Sequence, residues 1–529
     1  MLGMSSTSGM GRVQTKLWAW LPWLIAGLAI GARVLPTPRT IDDAFITFRY
    51  ARNLLAGAGF VYNAGERVLG TTTPLYTLLM AALSGISGSG DFPWLALWVN
   101  ALADAGTCLL LVALGYVLTG QRAVGLGAAL LWAIAPMSVT FAIGGMETSV
   151  FIFLLVLTSY LYVIGTTRLA AITGALVVLA RPDGLLLVAP MALDLVVRRL
   201  RARKLPLGEA GLFTLTLAPW LVFATLYFGS PVPQSIAAKI AVYRLPAEAA
   251  FVRLLQHYGT PFFEHQVLGR FWPLAGLMLY LALNLLAAVS LIRRNRRAWP
   301  VVAFPWLYAL AYSLANPLIF RWYLAPPLPF YFLLILAGLQ RVVEDAAAAA
   351  RRAAARAGGQ AAVAPPRSAG VLAAATLVFG LLSLNAWTLR PDHGPTRPAP
   401  EMAWHLLELY YEQVGHDLAG RTAGLTTVAA GDVGALGYYS RARILDTVGL
   451  VSPEAAAYYP LDESLYVINY AIAPDLIVEA APEYVVLLEA YGRAGLLHDE
   501  RFAAAYTLDQ KVETDIYGSD GLLVYRRNP

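Results

Sequence analysis

Eleven apolar runs, at roughly 17–35, 94–118, 123–141, 148–165, 168–180, 184–197, 210–228, 271–292, 299–316, 323–340 and 370–389, leave this chain few ways to fold. A bilayer core of roughly 30 Å accepts only segments that satisfy their own backbone, which for runs of this kind means helices. With 58% hydrophobic and 14% charged residues, the chain is expected to be an α-helical polytopic membrane protein of about eleven transmembrane helices. The basic residues fall between the runs: Arg12 and Lys16, Arg122, Arg168, R-R-L-R-A-R-K at 198–204, R-R-N-R-R at 293–297, and the arginines between 341 and 367. Placing all of them in the cytoplasm gives an alternation without contradiction, with the N-terminus inside and the C-terminus outside. A twelfth span at 75–88 would put 198–204 outside, so that short segment is read as an interfacial or re-entrant helix.

This topology predicts a membrane module over 1–389, with outer loops 36–93 and 229–270 and a cytoplasmic linker over 341–368 whose residues 345–366 are of low complexity. An extracytoplasmic α/β domain follows over 390–529, with strand-like runs Tyr484 to Leu488 and Leu522 to Tyr525 and a helical stretch Met402 to Val414. The last 139 residues hold twenty of the 33 acidic ones. The positive charge therefore belongs to short loops, and nucleic acid is not an expected partner. The first run has no small-residue cleavage site after it and is read as a retained span. Cys108 stands alone inside an apolar run, and His257, His265 and His405 lack metal-ligand spacing, so no cysteine or histidine metal site is assigned.

Chemistry points to the first outer loop. T-I-D-D-A-F-I-T-F-R-Y, residues 40 to 50, sets Asp42 and Asp43 just beyond the first span, after Pro36 and Pro38. Thr40 is a candidate N-cap, with Asp43 at the acidic position of a capping box. Adjacent helical residues diverge by about 100°, so the two carboxylates cannot share one target. Asp42 is expected to be the catalytic base, and Asp43 its support or a substrate ligand. The blander reading is a pair that merely caps and solvates a juxtamembrane helix.

Y-N-A-G-E-R-V-L-G-T-T-T-P-L follows at 62–75, and with it the loop resembles that of the GT-C membrane glycosyltransferases, in the branch of the arabinofuranosyltransferases. Asp42, Asp43, Arg49, Asn63, Glu66, Arg67 and Thr72 fall on that branch's pattern, whereas Ala64, Leu69 and Thr71 depart from it. Further likenesses are G-G-M-E-T with Glu147, A-R-P-D-G with Arg181 and Asp183, P-V-P-Q-S-I-A-A-K with Lys239, and R-W-Y-L-A-P-P-L-P with Arg321 and Tyr323. G-D-V-G-A-L-G-Y-Y at 431–439 resembles the exported domain of the same proteins. Its Asp432, like Asp446, is read as a turn residue.

The charge-derived topology puts Asp42, Asp43, Glu147, Asp183, Lys239 and Arg321 on the outer side, which argues for one shared cleft. The resemblance implies a polyprenyl-phosphate-linked sugar donor, most naturally arabinofuranose, and a glycan or glycolipid acceptor at the outer face of a bacterial plasma membrane. A phosphate leaving group needs cations, expected from Lys239 and Arg321 with Arg49 in reserve, and no general acid. The acceptor hydroxyl needs a base. One displacement inverts the anomeric carbon. Some members of the wider superfamily use a divalent metal through paired acids, but a cation-bound phosphate does not demand one, so no cofactor is assigned. The alternatives are a mannosyl- or other hexosyltransferase, or a transporter with membrane-edge carboxylates.

Overall fold

The computed structural model describes residues 7–356, 368–391, 393–402, 405–421 and 426–529. Every apolar run is helical, in Thr7–Val34, Phe92–Thr119, Arg122–Ile134 with Pro136–Ile143, Thr148–Ile164, Thr167–Ala180, Leu185–Arg201, Leu207–Phe228, Trp272–Arg294, Trp299–Ala315, Leu328–Arg356 and Ser368–Leu384. Among the described residues, five helices are long and apolar enough to cross a membrane, or six if the bent pair over 122–143 is one span. Shorter apolar helices, among them Thr148–Ile164 and Ser368–Leu384, pack beside them. The segment expected at the interface is a 14-residue helix, Pro74–Ser87.

Three local expectations need correction. The run 123–141 is broken, bending by 50° between Ile134 and Pro136. Pro136 has no N–H to continue the ladder, and it holds Ala135 at φ −57°, ψ 128°, outside the helical region. The residues 341–356, expected in the linker, continue the helix Leu328–Arg356, as their alanine-rich composition favours. The rest of the linker, 357–367, lies outside the described residues. Finally, Thr40 does not cap the acid-bearing helix: that helix is Asp42–Leu55, its N-cap is Ile41, and no side chain caps it.

The break at Pro136 has a use. It leaves Ala133 O without its usual helical partner, and Arg33 donates to it at 2.8 Å. Arg33 also gives its Nε to Asp104 at 2.7 Å and another nitrogen to Ser138, and Asp104 accepts from Trp132 and Ser149 at 3.0 and 2.8 Å. Both charges are fully buried. In an apolar bundle such a pair persists only because its remaining hydrogen-bonding capacity is filled. The bent segment then offers Ile143 O and Gly144 O to the backbone N–H groups of Arg39 and Ile41 at 2.9 and 3.0 Å. The start of the acid-bearing helix is thereby pinned to the bundle.

The C-terminal part opens with a hairpin of β1 (Trp387–Pro391) and β2 (Thr396–Pro400). Its sheet comprises β3 (Thr427–Ala430), β4 (Arg443–Asp446), β5 (Tyr484–Leu488), β6 (Tyr506–Val512) and β7 (Leu522–Arg527), in the order β4-β3-β5-β7-β6. The two strands expected from sequence are β5 and β7. β5 is buried on both faces, as an uninterrupted apolar run requires. The helical stretch expected at 402–414 is found as His405–Ala419.

Arg49 fastens this domain to the segment 36–93 that follows the first apolar run. It is 4% exposed, and it donates to the carbonyls of Tyr62, Gly437 and Ala442 at 2.9, 2.7 and 2.7 Å and to Asn63 Oδ1 at 3.1 Å. Its guanidinium lies 4.1 Å over the Tyr62 ring. Asn63 repeats the pattern, pairing with both Ile444 N and Ile444 O, and Glu66 takes Arg443 at 2.6 Å. The short helix Gly434–Ser440 comes so close that a Cβ on Gly434 would overlap the Asp42 carbonyl, and one on Gly437 the Tyr62 hydroxyl. Arg49→Met keeps the stem and strips the donors from three buried carbonyls, at about 1–3 kcal/mol for each group left unsatisfied. The variant's thermal midpoint in detergent should fall, and protease should release the C-terminal domain faster than in the wild type. An unchanged midpoint would mean that other contacts hold the domain.

Candidate active site

Two cavities of about 450 Å³ each meet beneath this junction, a size suited to small-molecule recognition. The first lies against the helical bundle and is lined by Asp43, Thr72, Glu147, Arg181, Lys239, Arg244 and Tyr323. The second opens toward the C-terminal domain and is lined by Asp42, Asp43, Arg253, Arg321, Glu408, Tyr411, Asp432, Tyr491 and Tyr517. Asp43 and Tyr243 stand in both walls.

Cations dominate the first cavity. Arg181 closes a carboxylate network, giving Nε and one terminal nitrogen to Asp183 at 3.0 and 2.9 Å and the other to Glu147 at 3.2 Å. Asp183 is held in turn by the hydroxyls of Tyr308 and Tyr312 at 3.1 and 2.9 Å. The R-P-D-G sequence is thus a braced ion pair, and Pro182–Gly184 forms the single 3-10 turn that permits it. Arg181 also faces the Tyr323 ring at 5.1 Å, and Lys239 faces Phe320 at 4.8 Å. Lys239 projects from the helix Gln234–Val242, whose first N–H is tied to Leu69 O at 2.8 Å. Its ammonium is held in the charged form, the nearby Tyr323 and Asp43 outweighing burial.

Carboxylates dominate the second cavity. Asp42 accepts from Gly434 N and Ala435 N at 2.8 and 2.7 Å, so both of its oxygens face backbone donors at the start of the helix Gly434–Ser440. Burial raises its pKa, with the Asp432 and Asp43 charges adding to the effect and the two N–H bonds opposing it. Asp432 is raised by burial as well, and accepts from Tyr411 at 2.8 Å. Glu408 is raised well above its ordinary range by burial and by Asp42.

The expected site residues therefore divide. Asp43, Thr72, Glu147, Arg181, Lys239 and Tyr323 share the first cavity, with Asp183 behind Arg181. Asp42 and Arg321 line the second. Arg49, Asn63 and Glu66 are occupied in docking the C-terminal domain, and Arg67 lies 4.7 Å over the Tyr227 ring. Arg244, Tyr243, Glu408, Arg253, Tyr411, Tyr491 and Tyr517 were not singled out from sequence. None stands in a motif of its own, although Asp432 lay within the G-D-V-G segment. Among the described residues no set of three His, Cys, Asp or Glu side chains is placed to hold a metal ion.

Comparison with known proteins fits this architecture. Residues 403–525 match a family described as a domain of unknown function (DUF8728). The chain is 33% identical, over 220 residues, to the terminal β-(1→2)-arabinofuranosyltransferase of Mycobacterium tuberculosis, a match that takes in 38% of this chain and 35% of that protein. The chain thus spans about a third of this curated relative's length. ArnT from Cupriavidus metallidurans is similar in structure over 98% of both chains, with a TM-score of 0.53 and 11% identity in the form bound to undecaprenyl phosphate, and 0.55 and 13% in the apo form. At such identities the likeness is one of fold. The protein is a multi-pass membrane protein that shares its fold with ArnT and carries a C-terminal sheet domain, and over the matched part its sequence is similar to that of an arabinofuranosyltransferase.

The raised carboxyls carry a pH signature. A group whose folded pKa lies above its unfolded value binds more protons when folded, so it stabilises the protein as pH falls through the folded value toward the ordinary carboxylate range. The thermal midpoint should therefore rise on acidification from the alkaline side, until ion pairs elsewhere begin to protonate. Asp42→Asn should flatten that rise. A wild-type slope in this variant would remove Asp42 from the group responsible.

Proposed function

We propose that the protein is an inverting glycosyltransferase that moves a sugar, most naturally arabinofuranose, from a polyprenyl-phosphate donor to a hydroxyl of a cell-envelope glycan or glycolipid, at the outer face of a bacterial plasma membrane. The observation that carries this is the place of Asp43, in the wall shared by a cationic cavity and a carboxylate- and tyrosine-lined one. A donor phosphate beside Lys239, Arg181 and Arg244 would set the anomeric carbon facing Asp43. The acceptor would reach the same carbon from the second cavity. The sequence relative's name supports arabinofuranose, and the undecaprenyl phosphate bound by ArnT supports a polyprenyl donor.

Asp43, in place of Asp42, takes the role of base in this reading. Both oxygens of Asp42 already accept backbone N–H bonds, which leaves it to hold the second cavity in shape. Asp43 takes the acceptor proton as the oxygen attacks. The bond from carbon to phosphate oxygen breaks with its electron pair on phosphate, where Lys239 and Arg181 meet the growing charge by charge-assisted hydrogen bonds. Arg321 stands beside Arg253 in the second cavity, and its part is acceptor binding.

Purified protein should transfer label from polyprenyl-phosphate arabinose, and do so better than from the mannose analogue. Transfer from neither would remove the reading, and preference for mannose would move it to the hexosyltransferases. Asp43→Asn should abolish turnover while donor binding survives. Lys239→Met should lower turnover by about a hundred- to thousand-fold, as loss of one aimed donor does (about 2.7–4 kcal/mol). Arg321→Met should act mainly through the acceptor KM. Normal turnover in Asp43→Asn would return the base to Asp42 or elsewhere.

A further inference from the structure

The transfer reaction produces one proton per sugar at Asp43, between two cavities walled by protein. Glu408 is the side chain that connects this place with a third space. It lines the second cavity with Asp42, Asp43 and Asp432, and it also lines an outer basin with Asp91, His393 and Glu412. Glu408 is 7% exposed, and its Oε2 has no hydrogen-bond partner among the described residues. The Asp42 backbone amide bonds to its carboxylate. A buried carboxyl with an open oxygen is costly as a structural element alone. The basin beyond it already holds a titratable pair, His393 with Glu412 at 3.3 Å, at an exposed edge.

We propose that Glu408 is a positioning residue that acts through Asp43: it takes the acceptor's proton from the reaction cavity and passes it to the outer basin. The inference rests on the transfer reading above. The step balances simply. The acceptor O–H bond breaks and its proton goes to Asp43; Glu408, protonated at rest, releases its own proton to water in the basin, with His393 and Glu412 as exchanging groups, and the carboxylate so formed takes the proton from Asp43. No other reactant is required. Asp42, Asp43 and Asp432 face Glu408 from the cavity, Tyr517 stands near it, and Glu412 follows it on its own helix. Burial, and then the Asp42 charge beside it, raise its proton affinity and favour its protonated form. The basin side, where solvent reaches, is the way out.

The test compares Glu408→Gln, which keeps the shape, with the wild-type enzyme in detergent or nanodiscs. Turnover should fall about a hundredfold, the lower end of what positioned proton transfer contributes, with the donor KM within about twofold of wild type. Its alkaline pH limb should shift. Glu408→Ala should be slow too, and formate, a carboxylate small enough for the gap, should restore part of the rate. A purely structural Glu408 would leave Glu408→Gln close to wild type and Glu408→Ala without rescue, and either result overturns the proposal. A second readout stands apart from catalysis. Infrared spectra at neutral pH should show a protonated carboxyl band that Glu408→Gln removes, and its persistence in the variant overturns the proposal as well. If the wild type transfers no sugar, the transfer reading fails and the proposal falls with it. If it transfers normally and Glu408→Gln does too, the proposal alone fails.

Discussion

The guanidinium of Arg49 is the contact on which the seating of the C-terminal domain depends. Its hydrogen bonds reach the loop after the first apolar run at Tyr62 and Asn63, and the C-terminal domain at Gly437 and Ala442. Two units nearly 400 residues apart in sequence are joined by one planar fork, and the fork's geometry fixes their distance and angle. Lysine would not do this, because a single ammonium cannot place donors at four acceptors lying in different directions. Once Gly437 is fixed, Gly434 is fixed a turn earlier, and its N–H meets Asp42. The second cavity exists because this docking leaves a gap at Asp432 and Tyr411.

The two acids show how far local rules reach. Helical geometry states that Asp42 and Asp43 point about 100° apart, and they do face different surroundings. Which one meets the reaction and which meets a backbone depends on the helix Gly434–Ser440, brought in by tertiary contact. Local reasoning had assigned a cap to Thr40 and the open position to Asp42. The structure has no side-chain cap at that helix start, and Asp42 instead acts at the start of a different helix. The same acidic side chain in front of free N–H groups is an ordinary capping arrangement.

Apolar length made the helices of the bundle legible, because it acts through the bilayer and not through a partner chain. The strands β5 and β7 were legible for a similar reason: five consecutive buried residues at 484–488 have no amphipathic alternative. The break at Pro136 and the Arg33–Asp104 pair were not. A proline in an apolar run is tolerated in many spans, and an arginine near the end of one has no partner visible in the sequence. Only the loss of a partner at Ala133 O explains why that charge is buried. Arg321 illustrates the opposite failure. Its motif neighbour Tyr323 lines the first cavity, but two residues along a 3-10 turn carry the guanidinium into the second.

Separating the cations from the acids has a chemical consequence. Lys239 and Arg181 placed against Asp42, Asp432 and Glu408 would lower the proton affinity of those carboxylates. The structure spends Arg181 on Glu147 and Asp183, which moderates its charge without discharging it, and keeps Asp42, Asp432 and Glu408 in the other cavity, where burial raises their proton affinity. Asp43 stands in the shared wall with Tyr243, Leu318 and Trp322. An in-line displacement needs its leaving group and nucleophile on opposite faces of one carbon. In the proposed reaction, a cavity richer in cations and a cavity richer in acids, meeting at Asp43, would supply that opposition.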